Sequence, residues 1–428
     1  MKIEVGNWDT EIWGPAALAL VLVVSLAGCQ RLDPLALGNL AAPNATPMDT
    51  PSSEEEQAIP LAMGNPPGPV LAIAPLSDGE FLAGVGPIGS AESGFEWRLY
   101  RGREDDWRPL SWPPEAIPRS LHAATGRDLA SSEDVLYAIP LSNALLGRGQ
   151  AWGLMRSRDE GRSWQQILTG LGDPYVMDLA LSPPVPGGGN RTLFVVTWYS
   201  GVYRSANGGE TWEAMPLEAE VEPSGGANPY DLAVAVSPDY EDSTGNGLVM
   251  ASFSRQLHRW DIQAQTWRTS SLTVTTTLED FDPAESQLTA GSIAFSPDFD
   301  QDGTIYLYSG YAGLFRSTDK GQTWQDISRR LSIPPPIVAD FHLAVASADE
   351  AYVLLDTDQA DPRLGRPVSI LYRTRNGGRL WEALTDPPTM GWVSTFALTL
   401  GEEGQAVLHL GGSQGGVSSH VAEALSWD

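Results

Sequence analysis

Eight residues, Ser317-Thr-Asp-Lys-Gly-Gln-Thr-Trp324, recur along this chain, and that recurrence constrains its fold more than any other feature. Ser157-Arg-Asp-Glu-Gly-Arg-Ser-Trp164 and Ser205-Ala-Asn-Gly-Gly-Glu-Thr-Trp212 repeat them, and Thr374-Arg-Asn-Gly-Gly-Arg-Leu-Trp381 is a weaker copy. The shared pattern, S/T-x-D/N-x-G-x-T/S-W, reads as a hairpin turn. Asp159, Asn207, Asp319 and Asn376 can accept backbone N–H bonds from residues just ahead, while Gly161, Gly209, Gly321 and Gly378 take the positive-φ position. The hydroxyls of Ser157, Ser205, Ser317 and Thr374 can close the loop. Trp164, Trp212, Trp324 and Trp381 would bury their rings beneath it. One such turn is ordinary, but four make a repeat.

Degenerate copies fill the intervals. Trp260-Asp-Ile-Gln-Ala-Gln-Thr-Trp267 keeps the Thr-Trp end, and Trp107 and Trp427 mark two more units. Between Trp107, Trp164, Trp212, Trp267, Trp324, Trp381 and Trp427 the spacing is 46 to 57 residues, enough for four strands and their loops. Units open on alternating apolar runs such as Val176–Leu181, Asp231–Val236 and Ser292–Phe295. Ser182-Pro183, Ser237-Pro238 and Ser296-Pro297 follow. A β-branched or aromatic run comes next (Thr192–Thr197, Thr304–Tyr308), then a run ending in Arg-Ser (Gly201–Ser205, Gly313–Ser317). Period-two alternation between turn signals predicts strands, and no helical periodicity is expected past the N-terminal segment. Gly 44, Pro 33 and Trp 15 suit many short strands.

The repeated turn resembles the Asp-box, or bacterial neuraminidase repeat, of sialidases, sortilin-like receptors, xyloglucanases and photosystem II assembly factors. The resemblance implies an all-β fold, a single seven-bladed β-propeller of four-stranded antiparallel blades with Asp-box turns, expected over residues 69–428. It implies a structural role for the Asp-box residues, because those turns lie away from the central funnel. It also places ligands at the funnel, where Trp198, Tyr199, Arg255 and Tyr311, with Phe253, are the candidate binding residues. The insertions Asn143–Trp152, Thr269–Gln287 and Asp356–Val368 are expected on the same face.

Residues 1–28 read as a signal peptide. Ala16–Leu26 is too short to span a bilayer comfortably, and Leu26-Ala-Gly-Cys29 resembles the lipobox of bacterial lipoproteins, with Cys29 as the lipidated residue. Cys29 is the single cysteine, so no internal disulfide is available. Residues 29–68 carry Pro34, Pro43, Pro47, Pro51, Pro60, Pro66 and Pro67 with Glu54–Glu56, the composition of an extended tether. An extracytoplasmic, lipid-anchored monomer follows.

The net charge is −28, with lysine only at Lys2 and Lys320. Such a chain is repelled by phosphates, which argues against nucleic acid and anionic bilayer surfaces as partners. Asp298-Phe-Asp300-Gln-Asp302-Gly303 has the spacing of a calcium loop, although the later bidentate Glu is missing, so a solvated turn is the competing expectation. Asp239, Glu241 and Asp242 mark a looser acidic turn in the preceding unit. A sialidase would need an arginine triad, a Tyr–Glu pair and an acid/base Asp. Neither Ala116-Ile-Pro-Arg119 nor Ser332-Ile-Pro334 has the arginine before Ile-Pro that the family's first arginine motif requires. His122, His258, His342, His409 and His420 show no metal-ligand spacing. The expected function is therefore a non-enzymatic module that binds a protein or glycan. The alternatives are a sialidase-like glycoside hydrolase and a photosystem assembly factor-like propeller. The latter family presents an arginine-rich patch, a poor match for so acidic a chain.

Overall fold

The computed structural model describes residues 66 and 68–422, except 91–93, 104–105, 114–115, 125–134, 142–152, 186–189, 217–231, 242–244, 254–255, 263, 270–272, 276–289, 310–312, 329–330, 332–341, 361–366, 385–392 and 402–403. Its strands form seven sheets, antiparallel but for one added outer strand (273–275) in the fifth, that follow one another along the chain: 70–109, 117–166, 176–214, 233–269, 292–326, 342–384 and 393–421. First strands of neighbouring blades lie side by side, and the first strand of blade 1 sits between those of blades 2 and 7. The protein is a closed seven-bladed β-propeller.

Closure is direct, since Ser394 of blade 7 donates its hydroxyl to the carbonyl of Val70 in blade 1 at 2.6 Å. Phe81 of blade 1 packs on His409 of blade 7 with ring centroids 4.8 Å apart. Blade 7 has three strands among the described residues, and Trp427 lies outside them.

Blade 3 shows why the sequence folds this way. Its strands are Val176–Leu181, Leu193–Thr197, Gly201–Ser205 and Glu213–Ala214. The second strand is buried throughout, as are Val249–Phe253 and Ile305–Ser309 in blades 4 and 5. Both faces of such a strand meet a neighbouring blade. Phe194 and Val196 join the core shared with blade 4, and Leu193 and Val195 join the core shared with blade 2. Each fully buried side chain of this kind contributes about 1.5–3 kcal/mol relative to exposure. Among the described residues the apolar side chains accordingly gather in seven clusters, one at each junction of adjacent blades, rather than in one central core.

The four repeated turns share one hydrogen-bond pattern. In the third copy Ser317 Oγ donates to Asp319 Oδ1 and accepts from Gly321 N, and Asp319 Oδ1 accepts from Thr323 N at 2.9 Å. The same three bonds recur around Ser157–Asp159, Ser205–Asn207 and Thr374–Asn376. Two successive residues turn left-handed, Lys320 at φ 60° and Gly321 at φ 76°, which explains the glycine. Burial alone would raise the Asp319 carboxyl, but hydrogen bonds from Thr323, Ser317 and Gln322 hold it below the usual carboxylate range. In blade 4, which lacks the motif, Asp261 caps the turn through Ala264 N instead.

Three expectations are revised. Phe299–Asp302 forms one helical turn where a loop without helix was expected. Within the Thr269–Gln287 insertion, Thr273–Thr275 pairs in parallel with Thr323–Asp326, so this part lies on the outer edge of blade 5 and not over the funnel. Phe253 is 1% exposed, stacked on His258, and belongs to the core rather than to a binding surface.

Candidate functional site

Antiparallel order places second-to-third-strand turns and the blade-to-blade connections on one face. First-to-second and third-to-fourth turns, including the four repeated ones, lie on the other. On the first of these faces blade 3 presents a ledge of three aromatic rings. Trp198 and Tyr199 occupy the turn between Leu193–Thr197 and Gly201–Ser205, and Tyr175 stands in the connection from blade 2. Trp198 stacks on Tyr199 with centroids 5.9 Å apart and planes 29° apart, and Tyr175 meets Tyr199 edge-on at 5.7 Å and 82°.

One carboxylate fixes this arrangement. Asp173 Oδ1 accepts from Tyr175 N at 2.9 Å, its Oδ2 accepts from Tyr199 N at 3.3 Å, and Trp198 N donates to Tyr175 O at 2.9 Å. Two segments 26 residues apart are thereby locked into one surface. Trp198 is half-buried against the blade 3–blade 4 core, while Tyr199 remains 43% exposed. Burial raises the Tyr199 phenol, and the nearby Tyr175 and Asp173 raise it further, so the hydroxyl stays neutral. Sequence reasoning found Trp198 and Tyr199 but missed Tyr175 and Asp173. The available signal was Asp173-Pro-Tyr175, a turn dipeptide before an aromatic residue in a blade-to-blade connection. Arg255, Tyr311 and the whole Asn143–Trp152 insertion lie outside the described residues. The Asp356–Val368 segment begins and ends within paired strands, where Ala360 faces Pro367.

No family model matches this chain, and no curated protein does. Among solved structures it is similar to YCF48 bound to D1 peptide, at 14% identity over 84% of this chain and 96% of that chain, with a TM-score of 0.48. It is similar to YCF48 from Cyanidioschyzon merolae at 16% identity, covering 85% and 100% of the two chains, with a TM-score of 0.47. The extracellular domain of the two component system BT3049 from B. thetaiotaomicron follows at 12% identity, 83% and 40% coverage and a TM-score of 0.47. These are likenesses, and no ligand for this chain follows from them.

A Tyr–Glu–Arg constellation does exist, on the opposite face. Tyr352 Oη donates to Glu350 Oε1 at 2.5 Å, Arg373 Nη2 donates to the same oxygen, and the guanidinium lies over the Tyr352 ring. Tyr352 is fully buried, so no substrate can reach it. Burial and the Glu350 hydrogen bond raise its phenol well above the usual range. The arrangement also recurs: Arg316 lies over Tyr306 and reaches Ala348 O and Asp349 of blade 6. Arg156, paired across strands with Tyr137, reaches Gly208 O and Glu210 of blade 3. Arg373 itself reaches Ala422 O of blade 7. These third-strand arginines, visible in the sequence as Arg-Ser strand ends at Arg156 and Arg316 and as Arg-Thr at Arg373, clasp blade 2 to blade 3, blade 5 to blade 6 and blade 6 to blade 7.

The Asp298–Asp302 segment is also occupied structurally. Asp302 accepts from Ser296 Oγ at 2.6 Å and from Thr304 N at 2.7 Å, bracing the turn before Ile305–Ser309. Among the described residues no three acidic or histidine side chains converge as a metal site. In the preceding blade Asp239 accepts from Ser237 Oγ, and Glu241 bridges to Asn246. The histidines are likewise engaged in packing: His258 lies under Phe253, and His409 is held between Thr399 and Ser419 hydroxyls.

Proposed function

We propose that this chain is a surface-tethered propeller that binds a protein or glycan partner on the face carrying Tyr175, Trp198 and Tyr199. The observation that carries this reading is the locked aromatic ledge. Rigid rings with one exposed member are what binding surfaces use, because they bury large area at little cost in side-chain entropy. In the Tyr–Glu–Arg cluster the tyrosine and arginine are buried and both are tied to Glu350, whereas the ledge presents an exposed ring to a partner. The Leu26-Ala-Gly-Cys29 sequence supports lipidation at Cys29, with residues 29–68 as the tether holding the propeller off a bacterial membrane.

Two substitutions test the two halves of this reading. Cys29→Ser moves the protein from the membrane to the soluble fraction; unchanged fractionation ends the lipoprotein assignment. Tyr199→Ala, with its melting temperature preserved, abolishes crosslinking to a surface partner that the wild type captures. Equal capture by the variant removes the ledge from the function.

A further inference from the structure

We propose that the Tyr175–Tyr199–Trp198 ledge takes a cationic side chain, arginine or lysine, from a polypeptide partner. This deepens the binding-module reading and rests on it. Three observations point to a cation. The first is the grouping of rings around Tyr199, which is exposed, flanked by a stacked indole and met edge-on by Tyr175. Faces of Trp and Tyr carry the negative end of the ring quadrupole and attract guanidinium or ammonium groups.

The second is Asp173. Among the described residues its two oxygens accept the backbone amides of Tyr175 and Tyr199, and no Lys or Arg pairs with it. Its charge therefore stands beside the rings without a cation of its own. The third is charge supply across the protein. The chain holds 54 acidic against 26 basic residues, and Arg101, Arg156, Arg316 and Arg373 are committed to carboxylates or carbonyls on the opposite face. A basic segment approaching blade 3 is attracted at long range and finds a ring face with an adjacent carboxylate at contact.

The competing occupant is a neutral glycan, which also stacks on aromatic faces and can donate its hydroxyls to the carboxylate but carries no charge to pair with it. The test uses the full-length protein in neutral detergent, with three labelled probes: a glycine-spaced tetra-arginine peptide, the same peptide with citrulline for arginine, and a neutral N-acetylglucosamine tetramer. Citrulline keeps the planar shape and removes the charge. Fluorescence anisotropy is expected to show the arginine peptide binding at least roughly tenfold more tightly than its citrulline counterpart. Tyr199→Phe keeps the ring and stays within about twofold of wild type, while Tyr199→Leu keeps apolar bulk but weakens the arginine peptide by roughly threefold to thirtyfold.

Equal binding of arginine and citrulline peptides overturns the proposal. So does an arginine peptide that binds Tyr199→Leu as well as wild type, since the overall acidity alone then accounts for it. Binding of the tetramer that depends on Tyr199, with no preference for arginine, overturns it in favour of a glycan. If Tyr199→Leu still loses the crosslinked surface partner while the arginine peptide fails, the ledge remains a binding site and only the cationic specificity falls.

Discussion

The marker tryptophans are chemically unequal, and that inequality can be measured. Trp324 is 2% exposed in the blade 4–blade 5 core, and its indole Nε1 has no hydrogen-bond partner among the described residues. Trp381 is 6% exposed at the blade 5–blade 6 junction, and its Nε1 donates to Ile327 O at 3.0 Å. Replacement by phenylalanine removes three ring atoms at either site, a common loss of about 2 kcal/mol. At Trp381 it also leaves the Ile327 carbonyl without its donor, costing about 1–2 kcal/mol more; at Trp324 it removes an unpaired buried N–H and returns about 1 kcal/mol or more. Trp381→Phe should therefore be the more destabilising by about 2–3 kcal/mol. With an unfolding entropy of about 2.1 cal/mol/K per residue over roughly 350 folded residues, that difference is about 3–4 °C in Tm. Scanning calorimetry of the two variants at one pH resolves it. Equal shifts, or a larger loss at Trp324, would refute the assignment of the indole hydrogen bonds. Trp324→Ala provides the scale, at about 3–5 kcal/mol. If that variant is neutral, the ring is not buried in the junction at all.

Other consequences can be checked on the same protein. Asp319→Ala deletes the acceptor of Thr323 N, Gln322 N and two hydroxyls, and should cost about 1–2 kcal/mol in denaturant unfolding; an unchanged midpoint would mean the turn holds its own shape. His258 and His409 are each depressed to about 4, chiefly by burial. A folded pKa below the unfolded value makes the unfolded state bind the proton first, so their contribution is full above about 6.5 and is lost as pH falls toward 4. The slope reaches about 1.4 kcal/mol per pH unit for each group. Melting curves from pH 7 to 4.5 should decline, with a shallower decline in His258→Gln; identical slopes would show that His258 is not buried neutral. Because Asp302 is engaged with Ser296 and Thr304, millimolar calcium should leave Tm unchanged, and a rise would show that the Asp298–Asp302 carboxylates regroup around the ion.

The fold was readable because each blade must solve the same local problem. A tight turn with two left-handed residues needs Gly, an Asp or Asn acceptor and a hydroxyl at fixed offsets, so the solution is written four times, and tryptophan spacing counts the remaining units. The single helical turn at Phe299–Asp302 was not readable, because four residues are too few for a 3.6-residue period to repeat. The inter-blade clasps were visible as Arg-Ser strand ends, but their partners, such as Gly208 and Glu210 for Arg156, lie 52 and 54 residues away. The ledge was half readable for the same reason: Trp198-Tyr199 stands out locally, whereas Asp173 reaches Tyr199 only after two loops meet.

Recurrence also separates structure from function within this molecule. A Tyr–Glu–Arg cluster found once in an open cleft would be a catalytic candidate. Here Tyr352–Arg373 has counterparts in Tyr306–Arg316 and Tyr137–Arg156, at the same strand register and on the same face. A feature repeated at three junctions belongs to the ring, and its perturbed phenols report burial: Tyr137 and Tyr306 are both pushed up to about 12, foremost by desolvation. The Trp198-Tyr199 pair occurs once in the sequence, in a turn that blade closure does not require. An indole, two phenols and a carboxylate meet at that edge without a counterpart in the repeated turns, which is why the proposed partner contact is placed there.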